Sequence, residues 1–394
     1  MFFVIKSALF CSILWSKPPN PRPLPTFRAV KLSKKNIFSL ILALFCLAIH
    51  WAGRHPLWVE NAYSQGFFLR FSAAFRWMLG AFPFSVGDLL YGIWAGWLVW
   101  KSVVWVKRWY AQRQSLQFYV SAIQSAWIFG ASLYLLFNIC WGLNYNRKGI
   151  AWQMGFHKEK YSLQDLDKIN SFLLSKANHT KELLDQQHYR YPSNQQLFRR
   201  AILAYDSLTP SASFVNYAHP CVKSSLWGWL GNYLGFSGYY NPFTGEAQVN
   251  TEMPPFLQPF VSCHEIAHQL GYAKESEASF VGYLAAVASN DTLFQYAAYL
   301  DVFVSANVNL YAVDSLSAIR YRNQLSPAVH KDLKQWMDFN EAHQNPIEPM
   351  INWVYDKYLK GNEQQQGMMS YNQVTALLIA YYKNQKNNHE IKLK

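Results

Sequence analysis

The sequence predicts a mainly α-helical protein in two parts. An N-terminal three-helix transmembrane region precedes a mostly helical extracytoplasmic domain with a small hairpin or sheet. Three observations lead there. Three long apolar runs lie within the first 145 residues. The excess of basic residues is confined to the same region: residues 1–150 hold 16 Lys/Arg against Glu60 and Asp88, whereas residues 151–394 hold 20 against 21 acidic residues. Beyond residue 162, apolar side chains recur mostly at helical spacing, broken by one stretch rich in Gly and aromatics.

Composition agrees with a membrane protein. Of 394 residues, 51% are hydrophobic and 17% aromatic, with 16 Trp. The net charge of +13 could be read as a nucleic-acid footprint, but such a footprint needs its positive surface on the folded domain that binds. The second part has no basic excess, so nucleic acid is not an expected partner and the lipid bilayer is.

Residues 1–36 read as a cytoplasmic basic, Pro-rich segment; its first 16 residues are apolar but too short to span. The region 37–145 should hold three spans, at about 37–53, 84–106 and 118–141. Seven Lys/Arg precede the first span and four (Lys101, Lys107, Arg108, Arg113) join the second to the third, against Arg54, Arg70 and Arg76 between the first and second. The positive-inside rule then puts the N-terminus in the cytoplasm and residues 146–394 outside it, as in a multi-pass protein of a bacterial cytoplasmic membrane. Between the first two spans, Arg70 and Arg76 alternate with Phe67, Phe68, Phe71, Phe75 and Trp77, the pattern of an amphipathic helix on the outer surface. Asp88 should be hydrated at the outer interface.

The second part begins with the capping pattern Ser162-Leu-Gln-Asp165 and a helix to about Leu184, then a second from Pro192-Ser193 through Asp206. Between Trp227 and Val249, Asn241-Pro-Phe-Thr-Gly245 reads as a turn between two short strands. After Asn290 the chain is helical by pattern to Tyr382, where 373–382 is apolar but suits a buried helix rather than a span. Gly361–Gly367 reads as a loop and the tail from Lys383 as polar. Of the five cysteines, Cys221 and Cys263 fall in this part; a disulfide is possible, but Cys263 on an apolar stripe is better read as a small hydrophobe.

One stretch carries chemistry: His264-Glu265-Ile-Ala-His268-Gln-Leu-Gly271. On a helix, His264 and His268 project from one face, where two imidazoles can meet one metal ion. Glu265 then lies beside the metal, placed to take a proton from the attacking water and deliver it to a leaving amine. Pro254, Pro255 and Pro259 are tolerated at a helix start, Cys263, Ile266, Ala267 and Leu270 form the opposite apolar face, and Gly271 suits a cap. A third ligand is needed. Glu275 heads a face of small residues, Ala278, Ser279, Gly282 and Ala286, that can pack closely on the first helix. Glu277 heads the bulky stripe Phe280, Val281 and Leu284 and is the alternative ligand.

The second half resembles gluzincin metallopeptidases, in which HExxH on one helix is completed by a Glu on the next, often as Glu-x-x-Ala plus a small polar residue; Glu275-Ser-Glu-Ala278-Ser279 fits. Only six residues separate His268 from Glu275, fewer than in most gluzincins. The whole chain is similar to an uncharacterised family of bacterial three-span membrane proteins with a C-terminal HExxH domain, through residues 238–246 (Gly-Tyr-Tyr-Asn-Pro-Phe-Thr-Gly-Glu) and 264–271. The resemblance implies a zincin-like α+β domain and a membrane-anchored zinc peptidase with a peptide or protein substrate. Tyr239 and Tyr240 are candidate transition-state donors. Two other classes fit the same residues: a zinc hydrolase of a non-peptide envelope amide, and a non-catalytic partner-binding protein with a structural or vacant zinc site.

Overall fold

The computed structural model describes residues 33–112, 115–158, 160–362 and 373–392. The basic N-terminal segment before Ser33 and most of the loop expected at 361–367 lie outside the described residues.

Three helices are long and apolar enough to cross a membrane. The first, α1 (Lys34–Gly53), starts where the Ser33 side chain accepts the Asn36 N–H, relieving one of the unpaired amides of the first turn. The chain then passes through α2 (Pro56–Trp58), a π-helical stretch (Val59–Phe68) and α3 (Leu69–Leu79) before the long α4 (Val86–Gln112). The third apolar helix, α5 (Leu116–Cys140), is capped by Ser115 and packs along α1. A 3-10 turn (Gly142–Asn146) and the short α6 (Ile150–Gln153) lead into the C-terminal domain.

The expected capping box is present: the Ser162 hydroxyl accepts the Asp165 N–H, and the Asp165 carboxylate accepts the Ser162 N–H, opening α7 (Leu163–Gln186). Ser193 and Gln196 do the same for α8 (Asn194–Leu208). Next come β1 (Val222–Ser224), α9 (Gly228–Leu234), β2 (Gly238–Asn241) and β3 (Glu246–Val249). The turn foreseen at 241–245 joins β2 to β3 antiparallel, with Gly245 at φ +70°. The sheet has a third member that the sequence reading missed: β1 pairs parallel with β3, giving the order β1-β3-β2, and among the described residues no strand pairs with the outer edge of β2.

The domain core is built on two helices, α10 (Gln258–Gln269) and α11 (Glu275–Ala288). Every residue of α11 from Glu275 to Ala286 is buried, and the predicted apolar face of α10, Cys263, Ile266, Ala267 and Leu270, is buried as well. Packed around them are α7, α8, α12 (Thr292–Tyr311) and α16 (Val374–Lys392), with α13 (Ser315–Asn323), α14 (Pro327–Ala342) and α15 (Glu348–Gly361) between the last two in sequence. Val374, Leu377 and Leu378 are buried, as the reading of 373–382 requires. Cys221 and Cys263 are buried free thiols, so the hydrophobe reading of Cys263 holds.

Two stretches near the apolar helices are tied to the C-terminal domain, and one of them corrects an expectation. The segment between the first two apolar helices is helical and two-faced, with Phe67, Trp77 and Met78 exposed and its other face against the domain. Glu60, Phe68 and Arg76 are buried, because polar groups of the C-terminal domain pull the segment in. The Arg76 guanidinium donates to the carbonyls of Ala218, His219 and Gln269, and Arg147 grips Glu60 through Nε (3.0 Å) and Nη2 (2.5 Å). Asp88 is fully buried rather than hydrated: it accepts the Leu226 N–H at 2.6 Å and the Ser225 hydroxyl at 3.3 Å. Beside it the Glu246 carboxylate accepts the N–H groups of Val86 and Gly87 and pairs with Lys223. A carboxylate at these unpaired first-turn amides ties the start of α4 to the sheet.

Candidate metal centre

The metal-binding candidates converge. His264, His268 and Glu275 each offer one ligand atom, and all three atoms lie within 4.8 Å of one another. The helix period aligns the two histidines on α10, and Gly271, at φ +86°, ends that helix so that α11 can turn back across it. The crossing is close because Gly282 has no side chain: a Cβ there would lie 3.0 Å from the His264 backbone nitrogen. The small face of α11 thus does what its composition predicts.

Each imidazole is oriented by a second contact. The Nδ1 of His268 donates to the Tyr272 carbonyl at 2.7 Å; a carbonyl can only accept, so Nε2 is left to face Glu275 Oε2 at 3.5 Å. The Nδ1 of His264 bonds the Ser279 hydroxyl at 3.2 Å, and its Nε2 lies 3.2 Å from the same carboxylate oxygen. The other Glu275 oxygen accepts from Tyr355 at 3.1 Å. Burial by itself would raise the Glu275 pKa, but the His268 and His264 rings hold it well below the usual carboxylate range. Burial also opposes a charge on His268, yet Glu275 lifts that ring to about 9. His264 is lowered, chiefly by burial.

Glu265 is a separate case. It is buried, its Oε2 has no hydrogen-bond partner among the described residues, and burial pushes its carboxyl up to about 8. Strand β2 passes over it: a Cβ on Gly238 would lie 2.7 Å from Glu265 Oε1, so only glycine lets the backbone come this near.

The alternative ligand, Glu277, is elsewhere. It faces Gly149, and its Oε1 lies 3.9 Å from Lys274 Nζ. Tyr239 and Tyr240 point to opposite faces of β2, as strand alternation demands. Tyr240 shares the face of Gly238 and packs on Trp141 at 4.5 Å between ring centroids; Trp141 in turn meets the His268 ring at 5.9 Å. Tyr239 stacks on Tyr91 of α4 at 6.2 Å. The sequence reading missed Trp141, Tyr145, Tyr355 and Tyr358. They come from the end of α5, the 3-10 turn after it and α15, and no local pattern marks them as neighbours of a motif more than 80 residues away.

The donor set fits a zinc-like ion. Two imidazole nitrogens and a carboxylate oxygen are a common set of three zinc ligands that leaves a position open, and the unpartnered Glu265 oxygen lies at the same buried site. Fold and site together define a membrane protein with three apolar helices and a helical C-terminal domain organised around a largely buried His-His-Glu cluster. Residues 63–379 match the family described as Protein of unknown function (DUF3810), and the chain belongs to that family. No match was found among curated proteins or among solved structures.

Proposed function

We propose that this chain is a membrane-anchored zinc hydrolase of amide bonds, by its resemblance to gluzincins a peptidase, acting outside the cytoplasm. His264, His268 and Glu275 hold the ion and Glu265 is the general acid/base. The observation that carries the reading is the convergence of three ligand atoms within 4.8 Å beside the buried Glu265 carboxylate, whose Oε2 has no hydrogen-bond partner among the described residues. When bound, zinc supplies a Lewis acid that polarises the scissile carbonyl and acidifies the attacking water. Glu265 takes the proton from that water as its oxygen adds to the carbonyl carbon. The carboxyl then returns the proton to the leaving nitrogen as the C–N bond breaks. A carboxyl buried beside the ligand atoms is placed to serve both halves of that transfer. The outer edge of β2 gives an extended substrate backbone a place to pair next to Glu265. The basic excess around the apolar helices supports an N-terminus in the cytoplasm and the cluster on the other side of a bacterial cytoplasmic membrane.

Glu265→Gln tests the catalytic part. The amide is isosteric and contributes no ligand, so zinc content should stay at the wild-type level. Hydrolysis should fall by on the order of 10² to 10⁴, since the proton carrier is gone. If Glu265→Gln restores a deletion strain as well as the unmodified gene does, the protein acts by binding, not by catalysis.

A further inference from the structure

A cavity of about 1270 Å³ lies where the apolar helices meet the C-terminal domain. Apolar side chains of α4 and α5, among them Ile93, Leu98 and Leu133, form part of its wall; the rest comes from the end of α1, the 3-10 turn, Phe243 and the end of α15, and Tyr145 and Tyr358 belong to that lining. These tyrosines lead to the metal cluster. Their hydroxyls lie 3.3 Å apart, the Tyr358 ring stacks on Tyr355, and Tyr355 donates to Glu275. The charge of Glu275 acts on both Tyr145 and Tyr358, as part of what raises their pKa after burial.

Depth and charge identify the occupant. From Val86, anchored to the sheet by Glu246, to Leu98 is about 18 Å of helix at 1.5 Å per residue. That is close to one leaflet of a hydrocarbon core ~30 Å thick. At the bottom, the Trp97 and Phe129 rings meet at 5.9 Å between centroids. A helix ~10 Å across, as a transmembrane peptide would be, does not pass there. A single acyl chain needs only the upper part. The cavity lining includes Arg54 and Lys357 and no Asp or Glu, and neither cation has a carboxylate partner among the described residues. An anionic headgroup in this lining would meet positive charge and no carboxylate.

We propose, building on the hydrolase reading above, that the substrate is lipid-linked. It is an amide on an anionic, acyl-bearing molecule of the leaflet next to the domain, with its chain in this cavity and its scissile bond reaching the cluster past Tyr145 and Tyr358. The bond broken is the same C–N bond, with water supplying the hydroxyl and the proton as before.

The test uses the full chain in lipid nanodiscs and two glycines at which a Cβ meets nothing within 4 Å. Gly130 lines the cavity and Gly96 does not. Electron spin resonance of nitroxide-labelled phosphatidylglycerol should show about one immobilised lipid per chain more in the wild type than in Gly130→Leu, with Gly96→Leu matching the wild type. Labelled phosphatidylcholine should be held at least threefold more weakly. An N-palmitoylated acidic peptide should be hydrolysed with kcat/KM at least tenfold above the same peptide without the chain, an advantage lost in Gly130→Leu and kept in Gly96→Leu. Equal hydrolysis of both peptides, or equal immobilisation in both variants, overturns the lipid-linked substrate and leaves the hydrolase standing. Retained lipid with neither peptide hydrolysed overturns the hydrolase reading and the substrate with it. Displacement of the label by a hydrophobic spanning peptide, without preference for the anionic lipid, assigns the cavity to a transmembrane segment instead and overturns the proposal.

Discussion

The two glutamates at the start of α11 are two residues apart and differ in their surroundings. Glu275 faces both imidazoles, while Glu277 faces Gly149 and lies near Lys274. Two histidines alone hold zinc weakly, so Glu275→Ala should lower zinc affinity by roughly 100-fold or more, and Glu277→Ala should leave it within a few-fold. Titration of each purified variant with zinc against a competing chelator reads the difference; the reverse order would hand the ligand role to Glu277. The position of Glu275 beside the imidazoles was legible because the small residues that follow it, Ser279 and Gly282 among them, are the ones that can lie against α10. The supporting tyrosine was not. Tyr355 reaches Glu275 from 80 residues away, and proximity of that kind is set by tertiary packing alone.

Among the elements, the strong periodic helices and the hairpin were readable from capping residues and turn chemistry, as Ser162, Asp165 and Gly245 illustrate. Strand β1 was not, because three residues pairing parallel with a strand more than 20 residues on leave no local pattern. In the segment between the first two apolar helices the two-faced helical pattern was readable, but the partners of its polar groups, which lie in the domain, were not. Arg147 binds Glu60 on that segment and also donates to the Gly271 carbonyl in the turn after α10, so one side chain joins the connector to α10. Arg147→Met would leave the Glu60 carboxylate buried without its cation and should destabilise the fold by about 3–5 kcal/mol. The same pair sets a pH dependence. Burial alone would raise the Glu60 pKa, but the Arg147 hydrogen bonds and charge, with Gln65 and the Gly149 N–H, bring it below the ordinary value. A depressed carboxylate contributes stability that is present above its unfolded pKa and lost as pH falls through its folded one. The wild type should therefore lose unfolding free energy on acidification below about pH 4 by more than Glu60→Gln does, measured by denaturant titration in one detergent.

At the scale of the whole molecule, the division into an apolar helical part and a domain built on α10 and α11 was visible in hydropathy and charge. What was not visible is how firmly the two are joined: Arg76, Asp88 and Glu246 look like scattered polar residues in sequence, yet all three are buried where the apolar helices meet the domain. Three crossings and the basic excess predict that a reporter fused after Tyr145 responds as extracytoplasmic; a cytoplasmic response would turn the cluster to the other side. The central claim is that His264, His268 and Glu275 are metal ligands, and X-ray absorption at the zinc edge of the zinc-loaded full chain tests it most directly. The account predicts two imidazoles at about 2.0–2.1 Å with the remaining ligands oxygen, and loss of that signature in His268→Ala. A sulfur shell near 2.3 Å, or an unchanged spectrum in His268→Ala, would contradict it.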